Sequence, residues 1–426
     1  MSESRKSNKD ILQAPRGMRD FYGENFNLKK NFYTQAEAIA ERYGFMGMET
    51  PIMEHTEIFH KGVGAGTDIV DKEMYTLETA GGDHLTLRPE GTAAIVRSYI
   101  ENGMGSLPQP VSVYYSGPFF RHEKPQKGRY RQFYQFGLEI MGSKNSFHDV
   151  LTIQTGYEIV KTSGKNIIVG INTLGSNKER QKYIEILRAF YTENIDQIAK
   201  SDQRRIQSNP LRILDSKEIS TKKLNKKAPI LMDSLSEESK EYFQTVLTGL
   251  DALDIHYEVM PSLVRGLDYY EHTVFEYIIR DTEGNNSHAL GGGGRYDGLA
   301  EMIGHNSSIP AVGLALGVDR ILEVSNKDVF EKINKRLVSC ISLSEKAHAK
   351  MITIASNNNL PTINFHLGLS DSKLGKQLSK AEQLNAHFAL ILGDDELEKN
   401  VILLKNLENQ EQREISIDDI GKELEL

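Results

Sequence analysis

The sequence predicts an α+β fold, in which a mainly antiparallel sheet is interrupted by a helical segment and followed by a small α/β domain. Three observations lead to this prediction. Residues 117–142 contain two strands joined by a basic turn. Strand patterns return after a helical stretch from about 173 to 245, and such long-range returns favour one antiparallel sheet. From about residue 332, strands alternate with helices, which is typical of a separate α/β domain.

The N-terminal elements follow from apolar spacing and breaker residues. Residues 27–43 have apolar side chains at helical spacing, and Gly44 ends this helix. A strand is predicted at Met46–Thr50, closed by Pro51. Residues 84–100 predict a strand, a turn and an amphipathic helix.

The later elements are predicted in the same way. Helix 148–162 and strand Ile167–Ile171 continue the first domain, and its returning strands are predicted at 272–280, 286–292 and 311–316. In the last domain, the predicted strands are Leu337–Leu343, Thr362–Leu367 and Phe388–Leu392, with helices between them that end at Asn357 and Asn385.

Composition excludes several classes of protein. The 426 residues suffice for two or three domains, 39% of them are hydrophobic, and the apolar runs are shorter than a membrane span. Cys340 is the only cysteine, which excludes an internal disulfide or a thiolate cluster and indicates a reducing, cytoplasmic environment. The net charge of −8 gives no general affinity for nucleic acid, so an RNA partner would need local basic patches such as Arg204–Arg205.

One face of the second strand of 117–142 has unusual chemistry for a core. Alternation places five residues on this face: Arg131, Phe133, Gln135, Gly137 and Glu139. Arg121 and Glu123 share a face of the preceding strand, and Lys124, Lys127 and Arg129 surround the turn glycine. Such a surface suits a charged, planar ligand that carries phosphates. The alternative is an exposed hairpin with a salt-bridged outer face.

Residues 117–142 resemble motif 2 of the class II aminoacyl-tRNA synthetases, in the form used by histidyl-tRNA synthetases. Four further segments resemble the same family: LTLRPEGTAAIVR (85–97), SLVRGLDYYEHTVFEY (262–277), ALGGGGRYDGL (289–299) and PAVGLALGVDRIL (310–322). The resemblance implies an antiparallel catalytic domain formed by 1–172 and 246–328, a helical insertion at 173–245 and an anticodon-binding domain at 332–426.

The resemblance implies where ATP binds. The chain has no GxxxxGK[ST] sequence, and Gly291–Gly294 is followed by Arg295 and Tyr296, which breaks the GxGxxG spacing. The residues that the family uses for ATP match Arg121, Glu123, Arg129, Phe133 and Arg320. Arg121 would contact the α-phosphate, Glu123 the adenine amino group and Phe133 one face of the base, while Arg320 would cover the other face and reach the γ-phosphate. The alternative for Arg320 is a surface pair with Asp319 or Glu323.

The resemblance also implies a histidine site. Its members would be Glu90, Gly91, Thr92, Arg121, Gln135, Glu139, Arg265, Tyr269 and Tyr270. Glu139 and the two tyrosines would face the imidazole, whose two nitrogens both need partners, and Glu90 and Thr92 would bind the α-ammonium. Arg265 and Arg121 would be catalytic, because fixed cations stabilise the charge that develops on the α-phosphate. The glycine run would let the backbone approach the substrate, and the alternative is a flexible hairpin connection.

The implied activity is ATP-dependent ligation of L-histidine to tRNA(His) through a histidyl-adenylate, with release of AMP and diphosphate. The implied partners are tRNA(His), L-histidine, ATP with Mg²⁺, and a second copy of the chain in a homodimer, without a membrane or a dedicated protein metal site. One alternative is the non-catalytic, histidine-sensing regulatory subunit of ATP phosphoribosyltransferase. Another is a class IIa synthetase for a different amino acid, which the acidic, tyrosine-rich segments disfavour.

Overall fold

The computed structural model describes residues 12–64, 67–124, 128–281, 283–284, 286–326, 330, 336–357, 360, 362–368 and 373–425. The chain forms two compact units, residues 1–330 and 331–426. Lys127 and the predicted domain boundary at residue 332 lie outside the described residues. None of the helices in the described part of the chain is both long and apolar enough to cross a membrane.

The first unit combines helices with two sheets. Its α-helices are α1 (Gly23–Arg42), α2 (Thr56–Val63), α3 (Thr92–Glu101), α4 (Phe147–Lys161), α5 (Asn177–Glu193), α6 (Lys200–Gln203), α7 (Arg205–Ser208), α8 (Leu211–Leu214), α9 (Ile219–Asn225), α10 (Glu237–Ala252), α11 (Leu299–Met302) and α12 (Val318–Val324). Its strands are β1 (Met46–Gly47), β2 (Met53–His55), β3 (Tyr75–Glu78), β4 (His84–Leu87), β5 (Val111–Phe120), β6 (Gln132–Met141), β7 (Ile167–Thr173), β8 (Tyr257–Val259), β9 (Glu271–Arg280), β10 (Asn286–Arg295) and β11 (Ala311–Gly317).

The large sheet has the order β1-β5-β6-β11-β10-β9-β7-β8. Its six central strands pair antiparallel, and only the edge pairs β1–β5 and β7–β8 are parallel. The strands β9, β10 and β11 therefore return beside β6, as the sequence predicts, and the α+β prediction is confirmed. A smaller antiparallel sheet has the order β2-β4-β3.

Apolar spacing explains why one face of the large sheet is covered by helices. Phe32, Ala36 and Ala40 recur every four residues on α1 and are buried against α4 and the sheet. The left-handed backbone of Gly44 (φ +84°) follows the end of this helix. Phe136, Leu138 and Ile140 of β6 lie in the same core. The other face of β6 is thus left for the site.

The boundaries of three predicted elements differ from the structure. The strand predicted at Met46–Thr50 is limited to Met46–Gly47, because only these residues pair with β5. Strand β5 ends at Phe120, so Arg121 and Glu123 follow the strand rather than lie within it. Residue 245, the predicted end of the insertion, lies inside α10, whose Phe243 and Val246 pack in the core with α4.

The second unit is a five-stranded sheet with helices. It contains β12 (Arg336–Ser342), β13 (Ile363–Leu367), β14 (Phe388–Leu392), β15 (Val401–Asn406), β16 (Gln412–Ser416), α13 (Glu345–Asn357), α14 (Leu374–Gln383), α15 (Asp394–Lys399) and α16 (Ile420–Glu425). The order is β13-β12-β14-β15-β16, with β12 parallel to its two neighbours and the last two pairings antiparallel. The sequence prediction omitted the β15–β16 hairpin, although the apolar run Val401–Leu404 indicates a strand.

Candidate active site

One cavity of about 220 Å³ opens on the face of the large sheet away from α1 and α4. Twelve of the thirteen predicted site residues line it: Glu90, Gly91, Thr92, Arg121, Glu123, Arg129, Phe133, Gln135, Arg265, Tyr269, Tyr270 and Arg320. These residues come from β6, from the connection between β5 and β6, from the N-terminus of α3, from α12 and from the loop between β8 and β9. The fold therefore brings together segments that are up to 230 positions apart in the sequence.

Arg121 is held over an aromatic ring at one end of the cavity. Its Nε donates a hydrogen bond of 2.8 Å to the backbone oxygen of Pro89. Its guanidinium carbon lies 5.2 Å from the centre of the Phe133 ring, which is a cation–π contact. Its Nη1 is 4.0 Å from Glu123 Oε1, and Arg129 approaches the other oxygen of Glu123 at 3.5 Å. A carboxylate thus lies between two guanidinium groups beside a ring available for stacking.

Arg320 faces the same end of the cavity and is not paired with its acidic neighbours. It donates to the backbone oxygens of Ala289 (3.0 Å) and Gly128 (3.4 Å). Asp319 is paired with Arg19, and Glu323 accepts a hydrogen bond from Tyr130. The alternative of a surface pair with Asp319 or Glu323 is therefore wrong.

The charge of Arg320 adds to a positive cluster. Burial, followed by repulsion from Arg129, lowers the pKa of Arg320, and repulsion from Arg121 acts in the same direction. An anion placed between these guanidinium groups would relieve their mutual repulsion. The cluster therefore suits a polyphosphate.

Arg265 lies on the opposite wall, in an ion pair with Glu276 of β9. Both side chains line the cavity, so this guanidinium is aimed at the ligand space while its partner fixes it from the sheet. The sequence prediction omitted Glu276. The available signal was that Glu276 alternates with Phe275 and Tyr277, which are buried in the core, and so lies on the other face of β9.

Glu90 is buried at the N-terminus of α3. Its two carboxylate oxygens accept hydrogen bonds from the backbone N–H groups of Thr92 (2.8 Å) and Ala93 (3.0 Å). Burial raises the pKa of Glu90 even though these two bonds lower it. A cationic group of a ligand would add to the attraction of Arg121 and stabilise the charged form of this carboxylate.

Gln135 offers a second polar group to the same space. Its side-chain oxygen is buried and has no hydrogen-bond partner among the residues that the structure describes. An acceptor buried in this way is costly unless a donor reaches it, and Gln135 lines the cavity. A ligand N–H group is the donor that fits.

Glu139 is the predicted residue that lies outside this lining. It is fully buried, and its carboxyl group accepts hydrogen bonds from the hydroxyls of Thr92 (2.8 Å), Tyr115 (3.2 Å) and Tyr296. Burial raises the pKa of Glu139 to about 8, although the hydroxyls of Tyr296 and Thr92 lower it. Glu139 thus stands behind the cavity wall and orients the hydroxyl groups around it.

Tyr115 is a lining residue that the sequence prediction omitted. It pairs with Gly137 across β5 and β6, and a Cβ on Gly137 would meet its ring at 2.1 Å. The glycine on the polar face of β6 therefore makes room for a tyrosine of the neighbouring strand. Gly313 of β11 serves Glu139 in the same way, because a Cβ there would meet the carboxyl group at 1.5 Å.

The glycine run Gly291–Gly294 is part of a central strand. It lies within β10 and pairs with both β9 and β11, so the alternative of a flexible connection is wrong. A Cβ on Gly293 would meet the backbone oxygen of Gly313 at 1.9 Å, and one on Gly292 would come within 3.1 Å of Arg265. The run keeps the three strands close and leaves space for Arg265.

A segment near the N-terminus also supports the site, and sequence reasoning did not detect it. The backbone oxygen of Gly17 accepts a hydrogen bond of 2.7 Å from the N–H of Arg131. The Arg19 guanidinium pairs with Asp319 and lies 3.8 Å from the centre of the Tyr130 ring. Asp319 in turn accepts the backbone N–H of Tyr134 at 2.7 Å. This segment ties the β5–β6 hairpin to α12.

The described residues contain no group of three His, Cys, Asp or Glu side chains that could hold a metal ion.

An antiparallel sheet that presents arginines and a stacking ring to one cavity, in a chain without a glycine-rich phosphate loop, defines a class II aminoacyl-tRNA synthetase catalytic domain. The family model described as histidyl-tRNA synthetase matches residues 17–321, and the model described as an anticodon binding domain matches residues 337–425. The chain belongs to the histidyl-tRNA synthetase family.

Individual relatives agree with this assignment. The chain is 40% identical over 412 residues to a histidine–tRNA ligase of Bacillus cytotoxicus, covering 96% of this chain and 97% of that relative. A histidine–tRNA ligase of Hydrogenovibrio crunogenus is 41% identical over 408 residues, covering 95% of each. The crystal structure of apo S. aureus histidyl-tRNA synthetase matches with a TM-score of 0.79 at 32% identity, covering 98% of this chain and 100% of that one.

A chain from Bacillus halodurans, described as an ATP phosphoribosyltransferase regulatory subunit/histidyl-tRNA synthetase, has a TM-score of 0.61 at 20% identity. This match covers 90% of the present chain and 98% of that one. At this identity the likeness shows a shared fold and does not distinguish the two activities.

Proposed function

We propose that this protein ligates L-histidine to tRNA(His) in two steps, activation by ATP and transfer to the tRNA. The proposal rests on one cavity, which is lined by three guanidinium groups and by buried hydrogen-bond acceptors. Such acceptors suit an amino acid with a positively charged ammonium group. Arg121, Arg265 and Arg320 supply the positive charge, and Glu90 and Gln135 supply the acceptors. The alternative of a non-catalytic regulatory subunit has less support, because the chain is similar to histidine–tRNA ligases over almost its full length.

Histidine would bind at the end of the cavity formed by α3, β6 and the tyrosine pair. Glu90 would accept the α-ammonium together with Thr92, and the ammonium charge would stabilise this buried carboxylate. Gln135, Tyr269 and Tyr270 would surround the imidazole, and Glu139 would act through the hydroxyl groups of Thr92 and Tyr115. A site of buried hydrogen-bonding groups rejects apolar analogues by up to about 10⁵ in favourable cases.

ATP would lie along the polar face of β6. The adenine would stack on Phe133 with its amino group at Glu123, and Arg320 would cover the base and reach the γ-phosphate, with Arg129 nearby. Mg²⁺ would arrive with ATP, bound mainly through phosphate oxygens, with a lining carboxylate such as Glu276 as a protein ligand. The ion pairs of Glu123 with Arg121 and Arg129 would exchange for contacts with the nucleotide.

In the activation step, a carboxylate oxygen of histidine attacks the α-phosphorus, and the bond from phosphorus to the bridging oxygen of the β-phosphate breaks. Diphosphate leaves and histidyl-adenylate remains. Negative charge spreads over the α-phosphate oxygens, where Arg121 and Arg265 would stabilise it. Neither arginine has to transfer a proton, which suits groups that remain charged.

In the transfer step, a hydroxyl group of the terminal ribose of the tRNA attacks the activated carbonyl carbon, and AMP leaves. The tRNA would pass the β5–β6 hairpin with Arg129 near its acceptor end, and the second unit would bind the anticodon loop.

We also propose a cytoplasmic homodimer, with residues 173–245 as an inserted domain. Exposed Met46, Ile52 and Met53 supply apolar surface for the dimer contact.

The proposal is tested by isotope exchange between diphosphate and ATP with each of the twenty amino acids. Exchange should require histidine, and later addition of tRNA(His) should yield histidyl-tRNA. Exchange driven by another amino acid would overturn the assignment of substrate. No exchange with a folded protein that still binds histidine would favour the regulatory-subunit hypothesis.

A further inference from the structure

Three of the residues proposed to act in histidine binding and activation lie on a segment without regular secondary structure. We call residues 263–270 the histidine-site loop. It runs between β8 and β9 and carries Arg265, Tyr269 and Tyr270. Since no helix or strand within the loop holds these side chains, something outside the loop must determine their positions.

Side chains of the helices between β7 and β8 hold this loop at three points. Arg180 of α5 donates a hydrogen bond of 2.5 Å to the backbone oxygen of Tyr270. Asn209, which follows α7, donates to the carboxylate of Asp268 at 2.9 Å. Arg212 of α8 donates to the backbone oxygen of Gly266, the residue after Arg265. The three contacts lie at the start, middle and end of the segment that carries the site residues.

Further contacts hold both the histidine-site loop and the helices beside it in place. Arg212 also donates to the Asp68 carboxylate at 3.4 Å, so it joins the loop to the segment before β3. Val264 and Leu267 of the loop pack in the same apolar core as Leu187 and Leu211 of the helices. Burial lowers the pKa of Arg180, and attraction to Asp268 opposes this effect. Arg180 is partly buried, so its hydrogen bond to the Tyr270 oxygen offsets part of the cost of removing the guanidinium from water.

We propose that Arg180, Asn209 and Arg212 are positioning residues for histidine activation, and that the helical segment organises the histidine site before any tRNA is bound. This inference rests on the proposed function, because it assigns Arg265 and the tyrosines to the activation step. A displacement of about 1 Å in such groups costs on the order of 100-fold in rate. The helices are thus part of the amino-acid site.

The two arginines should have different effects on the exchange reaction, which contains no tRNA. Arg180 holds Tyr270, so Arg180→Ala should raise the KM for histidine about tenfold, the effect of losing a charged hydrogen bond. Arg212 holds Gly266 next to Arg265, so Arg212→Ala should lower kcat by roughly 10- to 100-fold. The KM for ATP should change less than twofold in both variants. A general loss of folding would also lower the apparent kcat, so kcat is referred to the folded fraction of each variant measured by circular dichroism.

A matched control and milder variants complete the test. Arg188 lies on α5 with Arg180, and its ion pair among the described residues is with Glu185 of the same helix, so Arg188→Ala should leave both constants unchanged. The variants Arg180→Lys and Arg212→Lys retain a cationic hydrogen-bond donor, so their KM for histidine and kcat should lie between those of the alanine variants and the unmodified protein. If the alanine variants of the arginines do not fold, Asn209→Ala removes a single neutral donor and should raise the KM for histidine roughly fivefold.

Folded variants with the constants of Arg188→Ala would overturn the inference. The same result would leave the proposed function intact, provided that the unmodified protein catalyses histidine-dependent exchange. Failure of the unmodified protein to catalyse exchange would instead refute the proposed function itself. The two failures are therefore distinguishable in one set of measurements.

Discussion

Replacing Glu139 by glutamine should change how the stability of this protein depends on pH. The Glu139 carboxyl group is fully buried among the hydroxyls of Thr92, Tyr115 and Tyr296. Its pKa is about 8 in the folded protein, against an ordinary value of 4.5. Glutamine has nearly the same shape as the protonated carboxyl group and does not titrate, so it mimics the form that the folded state prefers.

The sign and size of the effect follow from proton linkage. Between pH 4.5 and pH 8 the folded protein holds a proton on Glu139 that the unfolded chain has released, so the free energy of unfolding falls as pH rises. At ~1.4 kcal/mol per pH unit, the loss from pH 5 to pH 8 is on the order of 4 kcal/mol. Below about pH 4.5 the contribution is fully present, and above about pH 8 the loss is complete.

Urea denaturation followed by circular dichroism at pH 5, 6.5 and 8, at one protein concentration, measures this difference. The Glu139→Gln variant should lose several kcal/mol less stability over this range than the unmodified protein does. Burial also raises the pKa of Glu90, whose own contribution is present in both proteins, so the comparison isolates Glu139 together with its repulsion from Glu90. Glu238→Gln, at an exposed position of α10, should follow the unmodified protein. Parallel pH curves for the unmodified protein and Glu139→Gln would refute the reasoning.

Three further outcomes are expected. Arg265→Ala should fold but lose on the order of 10²–10³ in histidine-dependent exchange, because a fixed charge at the α-phosphate is removed; normal exchange by a folded variant would contradict its role. Arg19→Ala should raise the KM for ATP roughly tenfold, since Asp319 loses its partner beside Arg320, and Asp319→Asn in the same protein should restore most of the affinity. Arg295→Met should lower the free energy of unfolding by about 3–5 kcal/mol, as it leaves Asp149 buried and unpaired, and urea titration would show no such loss if the pair were dispensable.

Local spacing was sufficient to predict most helices and strands. The predicted helix 148–162 is α4, and the strand Phe388–Leu392 is reproduced as β14. Apolar periodicity works in these cases because each element buries one face on a core that its own residues define. It failed at Met46–Thr50, where the chain leaves the sheet after Gly47 although β5 continues to Phe120, and local spacing does not predict such a departure.

Membership of the site was also predictable to a large extent, because the candidate residues occur in segments that resemble a known family. Sequence reasoning missed residues whose importance arises from a distant partner. Arg19 and Asp319 are 300 positions apart, and Tyr115 occupies space that Gly91 and Gly137 leave open. A local sequence pattern cannot predict such pairs, because each depends on which strands and helices become neighbours in the fold.

The amino-acid sequence by itself determined the family, the order of the elements and the face of β6 that carries polar groups. Only the tertiary structure decided that Glu139 stands behind the cavity wall and that α5 and α8 hold the loop that carries Arg265. The physical reason is that alternation along a strand selects a face, whereas strand register and helix packing select the side chains that meet on it. Hydrogen bonds between distant segments exist only after that packing has formed.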